Sequence, residues 1–354
     1  MRVLQLIDSL NPGGAERMAV NIANALHRVG IESFICTTRA EGALKKDLKS
    51  DVNYCFLNKK TALDFSALLK LRAFVGTHNI DIVHAHSTSY FFATLLKISL
   101  PKIKIVWHDH YGNSEILQKR KYLFLKISSL YFGVIISVNK RLKSWAEKKL
   151  FCPNVFYISN FVSQEETQHS VSLKNQNSLK IICIANLRPQ KDHLNLLKAF
   201  KIIEQKNLNA SLHLVGAIDD TDNLKILEDF IFTNRLTQVY IYGAQTAIQN
   251  IPKTADLAVL SSLSEGLPLS LLEYGVAGLP VVCTDVGECK TVVQNFGIIV
   301  PPKNPEALAQ GMLHYLNNKE IRMNDASSFS SHIRENYTEN AVIPELINIY
   351  KKIS

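Results

Sequence analysis

None of the six cysteines at 36, 55, 152, 183, 283 and 289 lies two or three residues from another. That spacing excludes CxxC zinc pairs and thioredoxin-type redox motifs, and it suits buried thiols of a reducing compartment. Long apolar runs are also missing. The best membrane candidate, Ile127–Val138, would span about 18 Å as a helix, against about 30 Å of hydrocarbon. Met1–Ile7 is stopped by Asp8, too short a run for a secretory leader. The first strand is not followed by G-x-G-x-x-G, and the sequence has no G-x-x-x-x-G-K-[ST], no G-x-S-x-G and no H-E-x-x-H. Dinucleotide, P-loop, hydrolase-elbow and helical zinc-protease chemistry each lack their motif. Solenoid-length repeats and low-complexity tracts are absent too.

What is there is a chain of 354 residues, 47% hydrophobic and 20% charged, long enough for two cores. Its charge is uneven. Residues 1–165 carry 23 Lys/Arg and 12 Asp/Glu, whereas 166–354 carry 17 and 19. Short β-rich runs at Val3–Ile7, Ser33–Cys36, Ile80–Val83, Ile103–Trp107 and Gly133–Val138 alternate with helical patterns. A second series follows at Leu179–Ile184, Ser211–Val215, Val239–Ile241, Leu257–Leu260, Pro280–Cys283 and Gly297–Val300. Such alternation predicts two doubly wound parallel α/β domains, 1–162 and 179–335, joined by a polar linker at 163–178. The final stretch, 336–354, reads as a helix broken near Pro344 that packs back on the first domain. Ligands of such sheets sit beyond the carboxyl ends of the strands, so the cleft between domains is the expected site.

Four places carry chemistry. Gly13-Gly14 opens the first helix, where backbone amides and the helix dipole suit a phosphate; a plain tight turn explains it equally. Asn186–His193 follows the first strand of the second domain and offers Arg188 and Lys191 for a diphosphate, or simply solvated loop cations. The serine-rich loop at 261–264 leads through Glu265, Gly266, Leu267 and Pro268 into a helix with Leu269, Ser270 and Glu273. Glu265 and Glu273 are eight apart, so they play different geometric roles. A carboxylate beside open amides suits sugar hydroxyls. Finally, His84 and His86, with His108 and His110, are expected just past two strand ends. They suit sugar contact, catalysis, a structural role or zinc.

These elements together make the chain resemble a retaining glycosyltransferase of the GT-B fold, family 4 (glycosyl transferases group 1). The resemblance runs through Gly13-Gly14-Ala15-Glu16-Arg17, Asp81–His86, Asn160, Asn186–Asp192, the E-x7-E element Glu265 to Glu273, Gly278–Val282 and Gly297–Pro302. It implies that the second domain binds a nucleotide-diphosphate sugar, UDP-linked before GDP-linked, and the first a glycan or lipid-linked acceptor of cell-surface polysaccharide synthesis. The family element Gly-Arg-x-x-Pro-x-Lys-Gly reads here with Asn186 at the arginine, Arg188 two residues later and Asp192 at the last glycine. The resemblance assigns Lys191, with Arg188 as substitute, to the diphosphate, Glu265 to the donor sugar and Glu273 to the ribose. His110 is the candidate at the reacting centre, with His108 next and His84 and His86 as further sugar contacts. No metal or other cofactor is expected, since no D-x-D element stands beside the diphosphate loop.

Basic residues Lys119, Arg120, Lys121, Lys126, Lys140, Arg141, Lys143, Lys148 and Lys149 interleave with Tyr122, Phe124, Leu125 and Tyr131. That pattern suits an anionic membrane surface, hence a cytoplasmic protein peripheral on the inner face of the membrane. Nucleic acid is not expected. A sugar-nucleotide epimerase and a non-catalytic membrane scaffold are the alternatives.

Overall fold

The computed structural model describes residues 1–163, 173–206, 208–218, 220–245 and 254–353. Most of the expected linker, 164–172, lies outside the described residues. The chain divides into unit 1, Met1–Phe161 with Glu339–Ser354, and unit 2, Val162–Thr338.

Unit 1 runs β1 (Arg2–Ile7), α1 (Gly14–Arg28), β2 (Glu32–Thr37), β3 (Asn53–Phe56), α2 (Phe65–Thr77), β4 (Ile82–His86), α3 (Tyr90–Ser99), β5 (Lys104–Asp109), α4 (Leu123–Ser128), β6 (Val134–Ser137), α5 (Lys140–Lys149) and β7 (Val155–Tyr157). Its sheet is parallel throughout, in the order β3-β2-β1-β4-β5-β6-β7. Strand order reverses between β1 and β4, the switch point at which open α/β sheets bind ligands. One sheet face packs Leu4, Leu6, Val83, Ala85, Ile105, Trp107 and Ile135 against Leu71, Phe92, Leu96 and Trp145. The sequence pattern missed β3 and β7, the two short edge strands of this sheet.

Unit 2 runs β8 (Leu179–Ile184), α6 (His193–Glu204), β9 (Ala210–Val215), α7 (Thr221–Thr233), β10 (Val239–Ile241), β11 (Leu257–Leu260), α8 (Leu269–Val276), β12 (Val281–Thr284), α9 (Cys289–Val293), β13 (Ile298–Val300), α10 (Pro305–Asn317) and α11 (Lys319–Asn336). Its six parallel strands are ordered β10-β9-β8-β11-β12-β13, with the switch point between β8 and β11. Strands buried on both faces read as near-continuous apolar runs, which is why this half was easy to parse.

The last helix, α12 (Glu339–Ile353), returns to unit 1. It corrects the expected break at Pro344, which sits inside the helix. Proline there removes one bond, to the carbonyl of exposed Asn340, where water can replace it. The buried stripe Val342, Ile343, Leu346, Ile349 and Tyr350 continues on both sides and holds the helix straight through. The break falls at Tyr337–Thr338 instead, where Val162 N–H donates to the Tyr337 carbonyl. The apolar run Ile127–Val138 divides among the end of α4, a 3-10 turn and β6.

Gly275 lies in α8, against α11. A Cβ there would stand within 2.9 Å of Ile333 Cβ. Gly275→Ala should therefore destabilise unit 2 by about 1–3 kcal/mol through overpacking, although alanine is the better helix former by about 1 kcal/mol. Urea unfolding measures it. A stabilised variant would mean that α11 can move off α8 freely.

Candidate active site

Two loops meet at the switch point of unit 2. The loop after β8 passes Asn186, Arg188 and Lys191, and the loop after β11 passes Ser261 to Pro268. They are zipped together: Leu263 N–H donates to the Gln190 carbonyl at 2.8 Å, Gln190 Nε2 donates to the Ser264 carbonyl at 2.7 Å, and Ser261 Oγ to the Lys191 carbonyl at 2.9 Å. This brings Lys191 Nζ to 2.6 Å from Glu265 Oε1, and Ser262 Oγ donates to the same oxygen at 2.6 Å. An ammonium has three donors, so Lys191 can hold Glu265 and still serve a ligand oxygen.

Asp192, at the glycine position of the family element, is left-handed (φ 51°, ψ 47°) and caps α6 through Asn195 N–H. Aspartate tolerates that conformation better than most residues, so the turn survives without glycine. Asn186 uses its side-chain oxygen to accept from Ala217 N–H at 3.2 Å, tying β8 to the loop after β9. Arg188 is exposed. Gly266, Leu267, Pro268 and Leu269 are buried, and no side chain caps α8, whose helical residues begin one after Pro268. Glu273 is partly buried on α8, one turn from Ser270. Behind the loop, Gly287 has φ +55°, and a Cβ would press on the Gly266 carbonyl oxygen at 2.6 Å.

In unit 1 the histidines lie differently from the expectation. His84 and His86 are in β4 and His108 is in β5; only His110 follows a strand. Register sets His86 beside His108 and Gln5 beside His84, and alternation turns these four side chains to one face. His84 Nε2 and His108 Nδ1 are 3.2 Å apart, and His86 Nδ1 and His110 Nε2 are 3.0 Å apart. Tyr350 Oη of α12 lies 2.5 Å from His84 Nδ1. His84, His86 and His108 are fully buried, so in this arrangement none offers a ring to a substrate; His110 is partly exposed. Polar residues read as loop starts in the sequence because the strand period cannot show that their partners lie on the neighbouring strand. Nitrogens of His84, His86 and His108 lie within 4.8 Å of one another, near enough to share an ion. All but His108 Nε2 are already hydrogen-bonded. Gly13 caps α1 in extended backbone, and Gly14 begins it.

The family models decide the identity. Glycosyl transferases group 1 matches residues 164–331, and Glycosyltransferase Family 4 matches residues 12–166. The chain belongs to the group 1 glycosyltransferases. It is 27% identical to a glycosyltransferase of Haemophilus influenzae over 94% of this chain and 95% of that one. It is 26% identical to the Escherichia coli UDP-Gal:alpha-D-GlcNAc-diphosphoundecaprenol alpha-1,3-galactosyltransferase, over 66% of this chain and 65% of that one. Among solved structures it is similar to Anabaena HepE in complex with UDP and glucose, with a TM-score of 0.84, 17% identity and 99% of each chain covered. The fold is GT-B.

Two residues of this glycosyltransferase were not visible in the motifs. Gln5 carries no motif, and its partner His86 is 81 residues away. Arg120, grouped above with the membrane-facing cations, turns inward instead. It makes paired bonds to buried Asp109 at 2.6 and 2.8 Å, and its guanidinium lies 4.3 Å from the Tyr111 ring centroid and 4.4 Å from that of Trp145. Asp109 also accepts from Tyr111 N–H, so this pair clamps the turn that carries His110.

Burial lowers the His84 imidazole to about 3, and it holds His86 and His108 well below the usual histidine range, with neighbouring imidazoles adding to the effect. His110 is lowered by the same desolvation. The unfolded chain takes up protons on these rings below about pH 6.5, and the folded chain does not. Their contribution is therefore fully present above that pH and is lost as pH falls toward the folded values. Each ring costs up to about 1.4 kcal/mol per pH unit in that window. Urea midpoints should fall steeply between pH 6.5 and 5, before most carboxylates titrate. A flat profile there would show that the rings are solvated.

Proposed function

We propose that this glycosyltransferase moves a hexose, with retention, from a UDP-sugar to a lipid-linked glycan during surface-polysaccharide synthesis. The observation that carries the donor side is the Lys191–Glu265 pair at the carboxyl ends of β8 and β11. The donor nucleotide is supported by the printed UDP-Gal of the E. coli relative and the UDP held by HepE, and the acceptor by that relative's diphosphoundecaprenol.

Bond breaking at the anomeric carbon places negative charge on the departing diphosphate. Lys191 and Arg188 stabilise that charge, with the amides of Gly266, Leu267, Leu269 and Ser270. Two cations do there what a divalent ion does elsewhere, so transfer proceeds without metal. Glu265 holds donor-sugar hydroxyls, Glu273 the ribose, and Asn186 supports the loop between them. On unit 1, His110 contacts a substrate sugar. With no second carboxylate as nucleophile, the leaving phosphate takes the acceptor proton on the same face.

Calorimetry against UDP, GDP and ADP, with turnover measured in EDTA, tests the donor side. Saturating UDP at a hundred times Kd should stabilise the protein by about 2.7 kcal/mol, and Lys191→Ala should remove most of that. Glu273→Gln should weaken UDP itself by about 1.5–3 kcal/mol. Glu265→Gln frees Lys191, so UDP binding should hold or tighten while turnover of the full donor drops about a hundredfold. Equal loss of UDP affinity in both glutamate variants overturns the division of roles. Activity abolished by EDTA and restored by manganese overturns the metal-free scheme.

A membrane surface is the second partner we propose. Leu123, Phe124, Ile127, Leu130 and Tyr131 point outward, Leu123 and Phe124 being 69% and 70% exposed. Exposed Phe151 joins them, its ring 4.8 Å beneath Lys126 Nζ, and Lys119, Lys121, Lys148 and Lys149 are exposed nearby in sequence. A soluble surface would place polar residues there; apolar side chains rimmed by lysine suit an anionic bilayer interface. No helix among the described residues is long and apolar enough to cross a membrane. Sedimentation with phosphatidylglycerol vesicles should capture the protein, and Leu123→Ser with Phe124→Ser should weaken capture about tenfold or more. Equal binding to neutral phosphatidylcholine vesicles would remove the lysines from the account.

A further inference from the structure

We propose that Gln5 is a positioning residue for transfer: its amide oxygen fixes the proton positions of the His86–His110 pair and thereby sets which nitrogen of His110 faces the sugar. The inference rests on the role given to His110 above.

Gln5 is fully buried on β1, beside β4. Its Oε1 lies 2.8 Å from His86 Nε2. An amide oxygen only accepts, so His86 must donate from Nε2. A neutral imidazole has one N–H, so His86 Nδ1 is an acceptor, and the nitrogen 3.0 Å away, His110 Nε2, must be the donor. His110 is then left with an unprotonated Nδ1, the atom that can accept from a sugar hydroxyl. His110 is also the partly exposed member of the four.

Tyr350 Oη lies 2.5 Å from His84 Nδ1, and His84 Nε2 lies 3.2 Å from His108 Nδ1, a second chain that does not pass through His110. Burial keeps the imidazoles neutral, as one N–H per ring requires.

Gln5 therefore governs the branch that ends on His110, and a separate branch is anchored in α12 through Tyr350. A structural glutamine would stabilise the sheet without caring which ring nitrogen is protonated.

Long-range 1H–15N spectra of the full chain with labelled histidine distinguish the tautomers. In the native protein His86 and His110 should both be Nε2–H, with unprotonated Nδ1 resonances. Gln5→Leu should mix the His110 tautomers and lower kcat at least about tenfold, with the donor KM within about twofold and UDP affinity unchanged. Tyr350→Phe should disturb His84 and leave His110 as it was. The native spectrum tests the tautomers even if a variant fails to fold. An Nδ1–H His110 in that spectrum, or an unaltered His110 in Gln5→Leu, overturns the proposal. Full turnover in His110→Ala would instead remove His110 from the chemistry while the tautomer result stood.

Discussion

Every strand in each sheet runs in the same direction, and this constraint organises the rest of the structure. Parallel pairing sends every strand–helix loop to one edge, so chemistry-bearing residues far apart in sequence arrive side by side. Lys191 and Glu265, 74 residues apart, meet because β8 and β11 are neighbours at the switch point. Gln5 and His86 meet because β1 and β4 are neighbours in the other sheet. Each sheet uses its central pair of strands in a different manner. In unit 2 the polar groups sit in loops past the strand ends. In unit 1 they extend down into the sheet itself, as a buried layer that costs more to assemble and is rigid once satisfied.

That difference explains what the sequence disclosed. The alternation of apolar runs gave the two parallel domains, because strands covered on both faces need little beyond a run of Val, Ile and Leu. The E-x7-E element was legible because its parts lie on one loop and the helix after it. The pairing of Glu265 with Lys191 was not, since no local pattern reports which loops share an edge. His84, His86 and His108 misled for the same reason: a polar residue ends a strand in sequence logic unless its partner is known, and their partners are on other strands or in α12. Pro344 misled differently. A missing N–H breaks an isolated helix, but an apolar stripe buried on both sides of it outweighs one lost bond on an exposed face. Arg120 looked like its lysine neighbours until Asp109 and the surrounding aromatic rings took it inward.

The family element shows how substitution can preserve geometry while moving charge. Asp192 keeps the left-handed turn and adds a cap to α6, so the position tolerates the change from glycine. Asn186 keeps a polar contact at the arginine position but spends it on the Ala217 backbone. Lys191 is the cation held between the two loops by Glu265, whereas Arg188 is exposed.

The return of α12 to unit 1 also imposes an order in time. As the chain leaves the ribosome, β1 through β7 are complete while residues 162–338 have yet to be made. Throughout that interval Tyr350 does not exist, and His84 has no phenol beside its Nδ1. The nascent first unit therefore presents a wet histidine face where the mature one has a sealed layer. Its closing step waits on translation of the whole intervening unit, so the half that begins synthesis first is the half that finishes last.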